Sequence, residues 1–186
     1  MALFNNGTGM EQSLGIVIRL TKLTETSWIV HWCTESEGVI KTVAKGARRP
    51  KSPFAGKLDL FFESELSWVR SRKSELHILR EVVVRDYREN LRKRYADTVA
   101  ASYFIDLLAC VVELDYPVPE LYDLLRRALN YLGEKGADQR AVLHYERELA
   151  RLLGVAHEQM SAFMSLERAF GNLPRSRKVC MEMVEK

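Results

Sequence analysis

Near Arg85 the hydrophobic period of the chain changes from two residues to 3.6. That switch divides the sequence into a strand-forming and a helix-forming part. Before it, Ile16, Ile18 and Leu20 alternate with Val17 and Arg19, and Trp28, Val30 and Trp32 alternate with Ile29, His31 and Cys33. Ile40, Thr42 and Ala44 alternate with Lys41 and Val43. Leu58, Leu60, Phe62, Ser64, Leu66 and Trp68 mark one face of a long fourth run, and Leu76 to Val84 supplies a fifth. Turn-forming stretches separate the runs at Thr24-Glu25-Thr26-Ser27, Glu35 to Gly38, Gly46 to Gly56 and Arg70 to Ser74. Five short strands in about 70 residues predict a small closed barrel, and the OB-fold is a barrel of that size and strand count.

After Arg85, Val99, Tyr103, Leu107, Cys110 and Leu114 recur at helical spacing, with Ala100, Phe104, Leu108 and Val111 beside them. So broad an apolar surface predicts a helix buried on most sides. Pro117 and Pro119 end it and begin a second helix with a Leu121, Leu124, Leu125, Ala128, Leu129 and Leu132 stripe, which Gly133 is placed to cap. Asp138 is placed to cap a third helix carrying Val142, Tyr145, Leu149, Leu152 and Leu153, with Gly154 at its end. A shorter helix follows from Gln159 to Phe170. The fold class expected is therefore α+β, an N-terminal five-stranded OB-fold barrel followed by an all-α helical domain. The limits that follow are a flexible tail over 1–13, the barrel over 14–84, the helical domain over 85–173 and a basic C-terminal tail over 174–186.

Charge is the second constraint. The whole chain carries a net charge of only +3, yet Gly38 to Leu58 holds six Lys or Arg and no Asp or Glu. Grouped cations repel one another, so such a loop stabilises nothing by itself and favours a polyanionic partner. Lys41 and Lys45 alternate with the inward residues of the third strand, Arg48, Arg49 and Lys51 follow on the loop, and Lys57 opens the next run. Arg70, Arg72 and Lys73 form a second basic turn, where OB-folds carry a binding loop. Contacts of this kind to phosphates bind nucleic acid with strong salt dependence and little sequence preference. A solvated loop that only aids solubility is the competing reading. Phe54, inside the basic loop, fits either a platform for a base or an anchor for the loop.

Other classes find little support. His31, His77, His144 and His157 have no ligand spacing, and Asp59, Glu63 and Glu65 read as a solvated edge rather than as a carboxylate site. No catalytic constellation stands out, so an enzyme is not expected, and neither is a cofactor. Cys33, Cys110 and Cys180 lie far apart without CxxC pairing, which points to a reducing compartment and away from a disulfide framework or a zinc site. Met1 to Gly9 has no basic region or sustained apolar run, so no signal peptide is expected, and Val99 to Val112 is too short to span a bilayer. A cytoplasmic protein with no membrane partner is the expectation.

The order of these features resembles the bacterial recombination mediator RecO family. Gly15 to Arg19, the Thr24 to Ser27 turn, Thr34 and Gly38 are similar to that family's first strands, and Val43 to Ser52 to its signature loop. Phe54, Gly56, Leu58 and Phe61 continue the likeness. Tyr145-Glu146, Leu149 and Leu152-Leu153-Gly154 resemble its Phe-Glu helix, with Tyr145 in place of Phe and Val155 in place of a final Tyr. The resemblance covers 15–155. It implies a non-enzymatic, nucleoid-associated DNA-repair protein whose OB-fold binds single- and double-stranded DNA and anneals complementary strands. It further implies that the protein joins RecR to load RecA, and contacts the acidic tail of single-stranded DNA-binding protein. DNA contact is carried first onto Lys45, Arg48, Arg49 and Lys51, then onto Lys41 and Lys57. Two departures matter. Only Cys180 stands where many members hold a four-cysteine zinc module, so no zinc is expected; and Leu143-His144 replaces a basic pair, leaving Arg140, Arg147 and Arg151 as candidates for the acidic tail. A shortened adaptor acting through protein contacts, or a general RNA-binding OB protein, are the alternatives, because charge alone does not separate RNA from DNA.

Overall fold

The computed structural model describes residues 9–185. They form two units, one running to Tyr87 and taking in Glu113–Pro119, the other made of Arg88–Val112 and the chain from Glu120 onward. Residues 1–8 of the expected N-terminal tail and Lys186 lie outside the described residues.

The first unit is the barrel that the alternation predicts. Its strands are β1 (Met10–Lys22), β2 (Trp28–Thr34), β3 (Gly38–Ala44), β4 (Glu63–Val69) and β5 (Leu76–Asp86), closed in the order β1-β2-β3-β5-β4. β3 and β5 pair in parallel and the other neighbours are antiparallel. Closure depends on the long first strand, which pairs with β4 along Met10–Ile16 and with β2 from Gly15 to Lys22. Where the two ladders overlap, a Cβ on Gly15 would stand 2.8 Å from Leu66 Cδ2, so a larger residue there would push the Leu66 side chain from its place in the core. Residues 10–13 are thus strand rather than flexible tail, because β4 satisfies their backbone groups.

The core holds Val17, Val30, Trp32, Ile40, Ala44, Leu66, Trp68, Leu79 and Val82. The Trp32 indole donates to Thr42 Oγ1 at 2.9 Å, which satisfies two buried polar groups at once. Two expectations are corrected here. A bulge between Val17 and Arg19 shifts the phase of β1, so Val17 joins Leu20 in the barrel core, while Ile16 and Ile18 are buried as well. The fourth run is also shorter than its apolar alternation predicts. Residues 51–62 are turns and irregular chain, and Leu58, Leu60 and Phe62 pack on the core from a loop. Phe61, at φ 72°, donates its N–H to Val17 O at 2.9 Å, while Val17 N donates to Phe62 O at 3.0 Å.

Glu113–Pro119 completes the barrel unit, although the sequence reading counts it with the helices. Leu114 bridges in parallel to Val39, and Asp115 N donates to Val39 O at 2.9 Å. Gly38 takes φ 69°, and a Cβ there would lie 2.0 Å from Tyr116 O, so the β2–β3 turn admits this segment only as glycine.

The second unit holds a short 3-10 turn (Glu89–Arg92) and the helices α1 (Tyr95–Val111), α2 (Pro119–Lys135, whose first residue belongs to the barrel unit), α3 (Gln139–Leu152), α4 (Ala162–Phe170) and α5 (Ser176–Val184). α1 buries Ala100, Ala101, Tyr103, Phe104, Ile105, Leu107 and Leu108 on most of its circumference. Asp138 caps α3 by accepting from Ala141 N at 2.7 Å. α2 runs through Gly133, and its terminal glycine is Gly136, at φ 94°, whose N–H donates to Leu132 O at 3.0 Å. The expected basic tail is in fact α5. Glu146 is buried and accepts from Tyr103 Oη at 2.6 Å; Arg177 of α5 donates to it at 2.7 and 3.2 Å and lies 4.2 Å from the Phe163 ring centroid. A buried carboxylate needs such a partner, and this one helps hold the helix in place, with Cys180 buried beneath it.

Candidate nucleic-acid interface

The β3–β4 loop is built as a chain of tight turns. Gly46 supplies φ 69°, Arg49 N donates to Gly46 O at 3.0 Å, Ser52 N to Arg49 O at 3.1 Å, and Lys57 N to Phe54 O at 3.1 Å. Two anchors fix it. Phe54 is only 6% exposed and belongs to the barrel core, which settles its role as an anchor rather than a base platform. Arg48 is the other anchor. Its backbone N–H donates to Thr26 O at 3.0 Å, its Nη1 donates to the carbonyls of Thr24 and Glu25 at 3.1 Å each, and its guanidinium lies 5.0 Å from the Trp28 ring centroid. Arg48 is therefore occupied as a brace between loop and β1–β2 turn, although its charge still adds to the local field. Lys45, Arg49 and Lys51 are exposed and Lys57 is half-buried; among the described residues none of the four forms an ion pair.

Lys41 lies farther back along β3 and meets Glu75 Oε2 at 3.3 Å. In the strand register it stands beside His31, which in turn stands beside Arg19. Burial first, then the positive charges of Lys41 and Arg19, lowers the His31 imidazole to about 4. Arg19 is exposed, and it lies outside the basic runs that mark the candidate site in the sequence. The alternation with Ile18 and Leu20 already turns it outward, and the bulge keeps it there while Val17 joins the core.

The second basic turn is a different place. Arg70 donates to both oxygens of Glu11 at 2.7 and 2.9 Å, to Glu37, and to Asp115 at 3.5 Å. Those bonds, the one to Glu11 foremost, hold its guanidinium more firmly protonated than usual. Asp115 also meets buried His77 Nε2 at 3.0 Å. Arg70 is thus enclosed by carboxylates and is not placed to take a phosphate, which corrects the sequence expectation. Arg72 and Lys73 are exposed, but their turn adjoins the β2–β3 turn through Arg70 and Glu37, whereas the basic loop adjoins the β1–β2 turn. The seven residues of β3 separate the two ends, about 20 Å of extended chain.

In the helical unit, α2 and α3 enclose a groove of about 600 Å³. Phe104, Leu124 and Tyr145 give it an apolar floor and Arg127, Arg140 and Arg147 a basic rim. Phe104 and Tyr145 stack at 4.1 Å between centroids. Arg151 does not line the groove and instead donates to Glu148 at 3.0 and 3.1 Å. Among the described residues no helix is long and apolar enough to cross a membrane, and no group of three or more His, Cys, Asp or Glu side chains is arranged to hold a metal ion.

Comparison with known proteins agrees with this architecture. The family model "Recombination protein O N terminal" matches residues 10–88, which takes in the whole barrel, and "Recombination protein O C terminal" matches 92–172. A "DNA repair protein RecO" of Rhodopirellula baltica is 31% identical over 76% of this chain and 52% of its own length. The protein of that name from Syntrophus aciditrophicus is 28% identical over 81% of this chain and 58% of its own, and that from Cutibacterium acnes 32% identical over 66% and 50%. The chain spans about half the length of the curated relatives it matches. With both halves of one family matched in order along the barrel and the helices, the chain belongs to the recombination protein O family.

Proposed function

We propose that this chain is a non-enzymatic DNA-repair mediator that grips the sugar–phosphate backbone of single- and double-stranded DNA through the β3–β4 loop. The observation that carries the reading is the braced loop itself: Arg48 and Phe54 fix its path while Lys45, Arg49 and Lys51 stand exposed without ion pairs among the described residues. Two phosphate backbones approach only when cations screen their repulsion, so a fixed cationic ridge also supports annealing of complementary strands. With Phe54 and Phe61 buried and Phe62 packed against the barrel core, recognition by the loop is through charge and independent of base identity.

Within this reading the chain works in the cytoplasm at the nucleoid and joins RecR to help load RecA. The α2–α3 groove supports a protein contact as well. An apolar floor with an arginine rim suits the acidic, apolar end of single-stranded DNA-binding protein, with Arg140 and Arg147 as contacts and Arg151 outside. An annealing assay with complementary oligonucleotides tests the function. Acceleration that depends on Lys45, Arg49 and Lys51 supports it; no acceleration at low salt favours a shortened adaptor, and stronger binding to RNA than to DNA at matched salt favours a general RNA binder.

A further inference from the structure

Arg19, His31 and Lys41 occupy one cross-strand row on three adjacent strands, Arg19 opposite His31 and His31 opposite Lys41. Val30, Trp32 and Ile40 turn inward, so the alternation of a strand sends His31 and Lys41 outward. The bulge after Val17 keeps Leu20 inside and Arg19 outside. Directly opposed side chains start about 5 Å apart at Cβ, and like charges so placed destabilise a sheet.

The row does little for the fold. Arg19 forms no ion pair among the described residues, and Lys41 has Glu75 of the β4–β5 turn. The charged groups acting on the imidazole are Lys41 from β3 and Arg19 from β1, both positive, and together with burial they keep it neutral to about pH 4. Its own strand adds Ile29 and Cys33, the latter a buried thiol pushed up to about 12 and hence uncharged. What Arg19 and His31 lack in this row is an anion among the described residues.

We propose that Arg19, His31 and Lys41 form a phosphate subsite on the outer face of the barrel, where the imidazole takes a proton from solvent as a phosphodiester of a nucleic-acid strand settles over the row. The proposal rests on the DNA-binding reading of the β3–β4 loop and extends its path along β3. Lys45 lies four residues beyond Lys41, about 13 Å along the chain. The incoming negative charge cancels the field of Lys41 and Arg19, and the protonated ring offers it a further N–H donor. Lysine and arginine stay charged across neutral and mildly acidic pH, so the loop alone confers no such proton uptake.

The test uses the full chain and a fluorescent oligothymidylate at constant ionic strength, near pH 7.5 and near pH 5. If the bound imidazole returns to its ordinary range, affinity rises about thirtyfold at the lower pH, and His31→Gln removes that gain. Imidazole NMR on the wild-type protein gives a second reading that needs no variant: titration near 4 in the free protein, moving to about 6.5 or above when DNA is saturating. Arg19→Gln, at an exposed position, weakens binding at both pH values and makes the log–log salt slope shallower by about 0.7. Binding lost in a Lys45, Arg49 and Lys51 variant, with affinity independent of pH and an unmoved imidazole, overturns the subsite and leaves the loop reading standing. No binding of oligothymidylate by the wild-type protein at either pH overturns both.

Discussion

The Arg48 guanidinium lies over the Trp28 ring, 5.0 Å from its centroid, and this contact divides the cations of one loop into two roles. Arg48 is bonded to the carbonyls of Thr24 and Glu25, while Arg49 next to it points to solvent without an ion pair among the described residues. Arg48→Ala is therefore expected to destabilise the barrel by about 1–2 kcal/mol, from the lost ring contact and the lost hydrogen bonds. Arg49→Ala leaves stability within about 0.5 kcal/mol and weakens DNA binding. Thermal unfolding and DNA titration of the two variants side by side check the division.

Arg177 holds the terminal helix α5 through buried Glu146. Removing the arginine leaves that carboxylate, among the described residues, with the Tyr103 hydroxyl. Because Arg177 is itself partly exposed, the expected cost of Arg177→Ala is about 2–3 kcal/mol, below the range for fully buried pairs. Hydrogen exchange should show protection lost first in α5. The double variant with Glu146→Gln recovers part of the loss, since the stranded charge is then gone.

The free protein should also lose stability on mild acidification through His31. Its folded value, about 4, lies below the ordinary 6.5, so the unfolded chain binds the proton more readily. The stabilisation is complete above pH 6.5 and falls away as pH drops toward 4. Allowing for solvent screening of a half-buried ring, the loss is about 1–2 kcal/mol. Urea unfolding at several pH values checks it, with His31→Gln showing a flatter profile across the same window.

Particular residues show why part of this structure was legible in the sequence and part was not. Trp28, Val30 and Trp32, and Ile40 and Ala44, alternate in plain view and pack as they read, because burial on one face enforces a period of two. Val17 is hidden by the alternation of Ile16 and Ile18, since a bulge adds one residue without leaving a local mark and all three are buried. Leu58, Leu60 and Phe62 imitate a strand because loop residues packing on a core are apolar too. Arg70 looked like a free cation because Glu11, Glu37 and Asp115 come from three distant parts of the chain. Arg177 reads as a tail residue for the same reason, its partner lying on α3. The run from Lys45 to Lys51 was legible, and what the sequence withheld was which of its cations the fold itself uses.

The salt dependence of affinity for single-stranded DNA, compared between the wild-type protein and a variant with Lys45, Arg49 and Lys51 all changed to Ala, is the most direct trial of the cationic loop. Three phosphate contacts at the loop contribute about −2 to the log–log slope. The variant should lose that share of the slope and most of its affinity at low salt while unfolding at the same temperature. A variant that keeps both the wild-type affinity and the wild-type slope would show that the nucleic acid does not pass over this loop.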